Sequence, residues 1–460
     1  MKPSLRIGTC AAFTLLLAAC DTTRQIQPPT EIDALVPDTW REEAGSTLSR
    51  DWIDSFSSPT LTELIADAEQ NNFGLEAAYQ RTRAAEAAAR ISGSLRLPSL
   101  NAGLRSSRAQ TMASFSPPTS IETESHALSL SARWEVDLWN RLGQEHLASR
   151  SEYQASQYDF ESLRLSLASQ VAKAWFNAIE AHAQYELATA SAESFETNLA
   201  TLERRYSRGL VDAFDLRLTR AQASSSRANA VRRRSQMDTT IRNLETLLGR
   251  YPSATLLATG ELPELGNTPP AGLPSELLTR RPDVLAQQNR LIAALALEKS
   301  AKRNWLPSLA LTASDGTLSP DFSNLLEKDF NVWSLAGDVS AALFQSGRLK
   351  AQRDQLNANQ LSQLAQYKDL VLRAFREVET ALRSETDLSD LETQTQIAAD
   401  ENRSAEEQAW RLYERGLVDI TTVLDAERRS FEARSQLISI RNQRLQNRIN
   451  LHVALGGNLD

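Results

Sequence analysis

An eight-residue run occurs twice in this chain, and it limits the possible folds more than any other feature. Arg205-Tyr206-Ser207-Arg208-Gly209-Leu210-Val211-Asp212 returns as Leu412-Tyr413-Glu414-Arg415-Gly416-Leu417-Val418-Asp419, an offset of 207. Leu248-Gly249 falls on Leu455-Gly456 at the same offset, and Leu97-Pro98-Ser99-Leu100 returns as Leu306-Pro307-Ser308-Leu309 at 209. Such a period is too long for a solenoid repeat, so the chain reads as a duplicated half-subunit. Between Tyr251 and Pro274 stand five prolines and three glycines, a stretch that cannot continue a helix. The expected organisation is a first repeat at 61–250, a connecting loop at 251–274 and a second repeat at 275–457.

Each copy carries the same order of patterns. A helical stretch comes first, Leu61 to Arg96 and Glu276 to Trp305, stopped by Pro98 and Pro307. Two strands follow, and then a long helix, Arg141 to about Arg205 and Arg348 to about Leu412. At 1.5 Å per residue each long helix runs on the order of 100 Å. Apolar residues step by four and three along both: Leu167, Val171, Ala174, Ala178, Ala181, Tyr185, Ala188, and Leu364, Tyr367, Val371, Ala374, Val378, Ala381, Leu388. That spacing marks a coiled-coil seam, and its alanines let helices approach closely. After the Gly-Leu-Val-Asp turn the chain reverses, and a further seam runs Val423, Ala426, Ala433, Leu437, Ile440, Leu451, Ala454.

The strands alternate with period two. Leu128, Leu130, Ala132, Trp134, Val136 and Leu138 are set against Ser129, Ser131, Arg133, Glu135 and Asp137. In the second copy Trp333, Leu335, Val339, Ala341 and Leu343 are set against Ser334, Asp338 and Ser340. The first strand of each pair, from Leu100 and from Leu309, alternates more weakly. No segment after residue 20 reaches 18 consecutive apolar residues, so any membrane span must be made of strands. Four strands cannot close a barrel, and an open sheet edge cannot lie in lipid because its backbone groups go unpaired. Several chains must then share one barrel, the apolar face meeting lipid. Arg133, Glu135 and Asp137 either line a wet lumen or flank it where the strand leaves the membrane. A soluble sandwich would need a second covering layer, for which the chain has no spare element.

The beginning of the chain reads as a processing signal. Lys2 and Arg6 precede a short apolar run, Ile7 to Ala19, which is too short to span a bilayer. It ends in Leu17-Ala18-Ala19-Cys20, which resembles the lipobox of bacterial lipoproteins. Residues 1–19 are thus expected to be a lipoprotein signal peptide, Cys20 the lipidated residue, and 20–60 a lipid-anchored arm. Cys10 would leave with the signal, so neither a disulfide framework nor a cysteine metal site is expected. A net charge of −8 argues against a nucleic-acid partner. With 23% charged and 6% aromatic residues, long exposed helices suit the composition better than a large globular core.

Several ordered motifs resemble those of outer-membrane efflux proteins of the TolC/OprM/NodT type. They are Trp52-Ile53-Asp54-Ser55-Phe56, Asn71-Asn72-Phe73-Gly74-Leu75, Trp134 through Arg141, Arg280-Arg281-Pro282-Asp283-Val284, Leu343 through Arg348 and the two Gly-Leu-Val-Asp turns. The resemblance covers nearly the whole chain after the signal. It implies a mainly α fold with a membrane β-barrel: a homotrimer with one twelve-stranded barrel continued by a periplasmic α-helical tunnel. It also implies outer-membrane lipid around the barrel, a periplasmic adaptor, and an inner-membrane transporter, commonly of the resistance-nodulation-division type. The function expected is a passive exit duct of a tripartite efflux system. A type I secretion duct and a periplasmic coiled-coil adaptor are the alternatives; the adaptor has one hairpin, where this chain has two. Asp21 departs from the outer-membrane pattern, since in enteric bacteria an aspartate after the lipidated cysteine tends to hold a lipoprotein in the inner membrane.

The resemblance also gives residues roles. Any helical hairpin needs a glycine to reverse, but in the family the equivalent tips meet the adaptor, which implicates Gly209, Leu210, Val211, Gly416, Leu417 and Val418. Asp425 matches by position the aspartate that constricts the periplasmic mouth, with Tyr413 and Arg428 as its hydrogen-bonding partners. Without the resemblance Asp425 reads equally well as a solvated helix charge. Three such carboxylates around a threefold axis are expected to raise one another's pKa and attract cations. Thr421 stands where some relatives carry a leucine that narrows the pore. Enzymatic chemistry is not expected. His126, His146, His182 and His452 fall in no metal-ligand spacing, and neither a nucleophile elbow nor a phosphate loop is present. No cofactor or metal is implied.

Overall fold

Asn72 and Arg281 divide what the apolar pattern reads as one helix in each copy. Asn72 is extended (φ −76°, ψ 116°), and its side-chain oxygen accepts the N–H groups of Gly74 at 2.9 Å and Leu75 at 3.1 Å. It therefore ends α1 (Pro59–Asn71) and caps α2 (Phe73–Ser94). In the second copy Pro282 biases Arg281 to the same extended backbone, separating α5 (Pro274–Arg280) from α6 (Pro282–Arg303). The structure, a computed structural model, describes residues 36–41, 52–113, 119–266 and 268–457; the signal-like segment and Cys20 lie outside them.

Each break is tied to the end of its own hairpin. Asn72 Nδ2 donates to Leu247 O at 2.9 Å, and Arg281 Nη1 donates to Ala454 O at 3.4 Å. The two carbonyls are 207 residues apart. Gly249 and Gly456 turn the chain just beyond, at φ 69° and 77°. A Cβ on Gly249 would lie 2.3 Å from Asn71 O, and one on Gly456 3.2 Å from the backbone of Arg280. The repeated Leu-Gly pair and the repeated helix break form one joint, built twice.

The four strands make a single antiparallel sheet in the order β1 (Ser99–Ala113), β2 (Thr119–Val136), β3 (Ser308–Ser319), β4 (Asn331–Ser340). Leu138, Ala341 and Leu343, expected as strand residues, lie beyond the strand ends. There the chain turns into helix through Asn140 (φ 55°) and through Ser346 and Gly347 (φ 47° and 83°). The long helices follow: α3 (Arg141–Tyr206) and α4 (Ala213–Leu247), then α7 (Arg348–Glu414) and α8 (Ile420–Ala454). α3 packs on α4 and α7 on α8, as the seams require, and α3 also packs on α8, joining the copies.

The principal core lies where α1, α3, α4 and the end of α8 meet. Phe176, Ile179, Leu244, Leu445 and Ile449 are buried there together with Trp52 and Phe56. Those two aromatics come from the stretch read as an arm, so 52–56 belongs to the core. Trp52 lies against His452 and meets Phe56 edge-on. Trp40 is buried too, its Nε1 donating to Gly272 O at 2.9 Å.

Candidate functional site

Strand pairing gives the sheet two chemically distinct faces. Residues paired across antiparallel strands share a face, so the register puts Leu104, Leu128 and Thr317 in one row, and Ala102, Leu130, Asp315 and Trp333 in the next. Leu100, Ala132, Ala313 and Leu335 follow, then Trp134, Leu311 and Gly337, then Val136, Leu309 and Val339. From Leu128 to Val136 the apolar band covers about 27 Å of strand. The opposite face carries Ser129, Ser131, Arg133, Thr312, Ser314, Ser334 and Asp338. Leu130, Leu335 and Trp333 are exposed, the last at 76%. β1 and β4 each have one unpaired edge within the chain. Among the described residues no helix is long and apolar enough to cross a membrane.

Where strands give way to helices the surface is aromatic. Trp139, Trp305 and Phe344 are exposed at this junction, the placement typical of a membrane–water boundary. Trp139 Nε1 donates to Pro307 O at 2.7 Å, and Trp134 Nε1 to Arg96 O at 3.0 Å. Glu135 accepts from Arg141 at 2.6 Å, and Asp137 accepts the N–H of Gly143 at 2.7 Å, capping α3. Both carboxylates thus serve the strand-to-helix joint, the second of the two positions open to them.

The opposite ends of the hairpins come together. Phe195 and Leu202 of α3 and Ala223 of α4 pack with Ala409 and Tyr413 of α7 and Ile420, Val423 and Leu424 of α8. Both turns close alike: Leu210 N–H donates to Arg205 O and Leu417 N–H to Leu412 O, each at 3.0 Å, with Gly209 at φ 68° and Gly416 at φ 73°. Leu210 and Leu417 are each 66% exposed. Val418 instead packs partly into the core between the tips. Tyr206 and Phe214 extend the exposed apolar surface of the first tip. Tyr206 lies inside the repeated run and Phe214 two residues beyond it, so both sit outside the Gly-Leu-Val part to which the resemblance gives a role. Asp212 caps α4 by accepting from Asp215 N–H at 2.9 Å. Burial, reinforced by Asp212 and Asp419, pushes the Asp215 carboxyl up.

Of the proposed constriction residues, the structure brings Asp425 and Arg428 together and leaves Tyr413 apart. Asp425 accepts from Arg428 Nη2 and from Arg429 Nε, both at 2.7 Å. Within the single chain these guanidiniums, Arg428 foremost, hold its carboxyl below the usual range; the raised value is the expectation for three carboxylates around an axis. Within the chain the nearest charges are cations one helical turn on, and they outweigh the small cost of desolvation. Arg428 also binds Glu432, so Asp425, Arg428, Arg429 and Glu432 balance in charge. The Tyr413 ring is buried against Trp410, with Arg205 5.0 Å above it, and its hydroxyl has no hydrogen-bond partner. Thr421 is exposed one turn before Asp425.

Pattern reading also missed Glu427, fully buried two residues beyond Asp425. Its signal is positional. In the heptad that runs Ile420, Val423, Glu427, Ser430, Leu437, a carboxylate occupies a core position. Among the described residues no cluster of His, Cys, Asp and Glu could hold a metal ion.

The outer membrane efflux protein family model matches residues 64–250 and 273–457. The pyoverdine export outer membrane protein OpmQ of Pseudomonas aeruginosa is 30% identical over 99% of this chain and 97% of its own. The cation efflux system protein CusC of Escherichia coli is 28% identical over 99% of this chain and all of its own. The open-state Neisseria gonorrhoeae MtrE outer membrane channel superposes with a TM-score of 0.84 at 27% identity, over 95% of this chain and 98% of that one. The family is one of transport ducts and not of enzymes. With the repeats matched nearly end to end, this chain belongs to the outer membrane efflux protein family.

Proposed function

We propose that three copies of this chain form the outer-membrane exit duct of a tripartite efflux pump, with twelve strands closing one barrel and the paired hairpins forming one periplasmic tunnel. The reading rests foremost on the two-faced sheet: an apolar band bounded by aromatics, with an open edge at each side that lipid does not tolerate. Acylation at Cys20 would anchor the chain beside its barrel. The adaptor would cover Leu210 and Leu417, and a resistance-nodulation-division transporter would supply the energy. Asp425 and Arg428 would line the periplasmic mouth. Two relatives are named for pyoverdine export and for cation efflux, which supports a small molecule or ion as the substrate class here.

The barrel wall is tested by single cysteines. A water-soluble thiol reagent should label Ser131→Cys from the lumen at least about tenfold faster than Leu130→Cys, whose position faces lipid. Equal labelling in membrane-inserted protein would exclude a two-sided wall.

A further inference from the structure

Glu427 is a buried carboxylate beside the tip core, and it links the two copies. It lies on α8, and its carboxylate accepts from Ser194 Oγ and from Asn198 Nδ2, the latter at 2.9 Å, both on α3. The surrounding contacts between these helices are apolar, from Phe195 and Leu202 to Ile420, Val423 and Leu424. Among the described residues, none of its hydrogen-bond partners is a cation. α3 presents a hydroxyl and an amide, neither of which ionises. α7 presents Glu406, a second negative charge. Arg220 and Arg227 of α4 are bound to Glu203 and Glu196, and Arg428 of α8 to Asp425 and Glu432. A carboxylate buried with two hydrogen bonds and a like charge is costly, whereas a neutral carboxyl in the same place is well accommodated.

We propose that Glu427 is a proton-dependent latch between the two halves of the protomer: protonated, it holds α8 against α3, and ionised, it favours their separation at the tip. Burial is the main influence on this carboxyl, and with Glu406 it outweighs the hydrogen bonds of Ser194 and Asn198, pushing the pKa up to about 7. A glutamate released to solvent returns to the ordinary range. The joined state therefore binds the proton more tightly. Its advantage is full below the ordinary carboxyl range, falls as pH rises from there through about 7, and is gone above.

Ser430, fully buried one turn further along α8 with its Oγ unpartnered, can report the opening. In the full chain purified in detergent, Ser430→Cys is labelled with a thiol reagent and modification at position 430 is read by mass spectrometry. At about pH 8 labelling with Glu427 present should exceed that in Glu427→Gln by about tenfold, and at about pH 5 the two should agree within about twofold. Ser194→Ala, which removes a donor to the carboxylate, should move the midpoint of labelling to higher pH. A ratio of Glu427 to Glu427→Gln labelling that is the same at both pH values would overturn the latch. The latch stands on this contact alone, and only its consequence for conduction depends on the duct reading. A pH-dependent ratio in a protein that never conducts would support the latch and count against the duct.

Discussion

His452 is packed against Trp52, and among the described residues its Nε2 has no hydrogen-bond partner. Burial, reinforced by Arg448, lowers its pKa to about 4. Between about 6.5 and about 4 the unfolded chain binds more proton than the native one. Stability from this group is therefore full above the ordinary histidine value and is lost as pH falls through that window. Glu427 acts with the opposite sign over nearly the same range, so the two must be separated to be seen. In a Glu427→Gln background, His452→Gln should reduce the loss of urea stability between about pH 7.5 and about pH 5 by about 1–2 kcal/mol. An undiminished loss would mean that His452 does not govern the acid response. Asp425 illustrates what single residues hide from sequence. Within one chain its carboxyl is held low by Arg428 and Arg429 one turn away, and the resemblance gives only the first of them as a partner.

At the scale of elements, the four conserved-geometry glycines of the repeats do different work. Gly209 and Gly416 turn the hairpin tips in open space, while Gly249 closes against the carbonyl of Asn71. Alanine at either tip should cost only the left-handed backbone, about 1–2 kcal/mol. Gly249→Ala adds a backbone clash and should cost clearly more, with a correspondingly larger fall in Tm. Equal falls at Gly249 and Gly416 would remove the joint as a structural element. The long hairpins were legible because the heptad repeats for dozens of residues, and β2 because its alternation is strict. The break at Asn72 was not, since capping by one asparagine leaves the apolar period on both sides intact. Nor was the burial of Trp52 and Phe56, because aromatic residues in a stretch rich in proline and polar residues carry no period. Glu427 escaped for the converse reason: a charge among charges reads as solvated until the heptad is counted through it.

For the whole molecule, the open edges of β1 and β4 and the exposed apolar band support the proposed assembly, in which further copies of the chain would continue the sheet in a membrane. In the proposed duct the balanced quartet around Asp425 would set the electrostatics of the mouth. Losing that carboxylate leaves two guanidiniums against one glutamate in each chain, which would favour anions there. The decisive measurement is single-channel recording from purified oligomers in planar bilayers, for the wild type and Asp425→Ala between about pH 5 and about pH 8. If the chain forms the proposed duct, both show discrete conductance steps, with the reversal potential of Asp425→Ala displaced toward anion preference. Oligomers that insert into the bilayer yet leave it no more conductive than lipid alone, in both proteins and across that range, would contradict it.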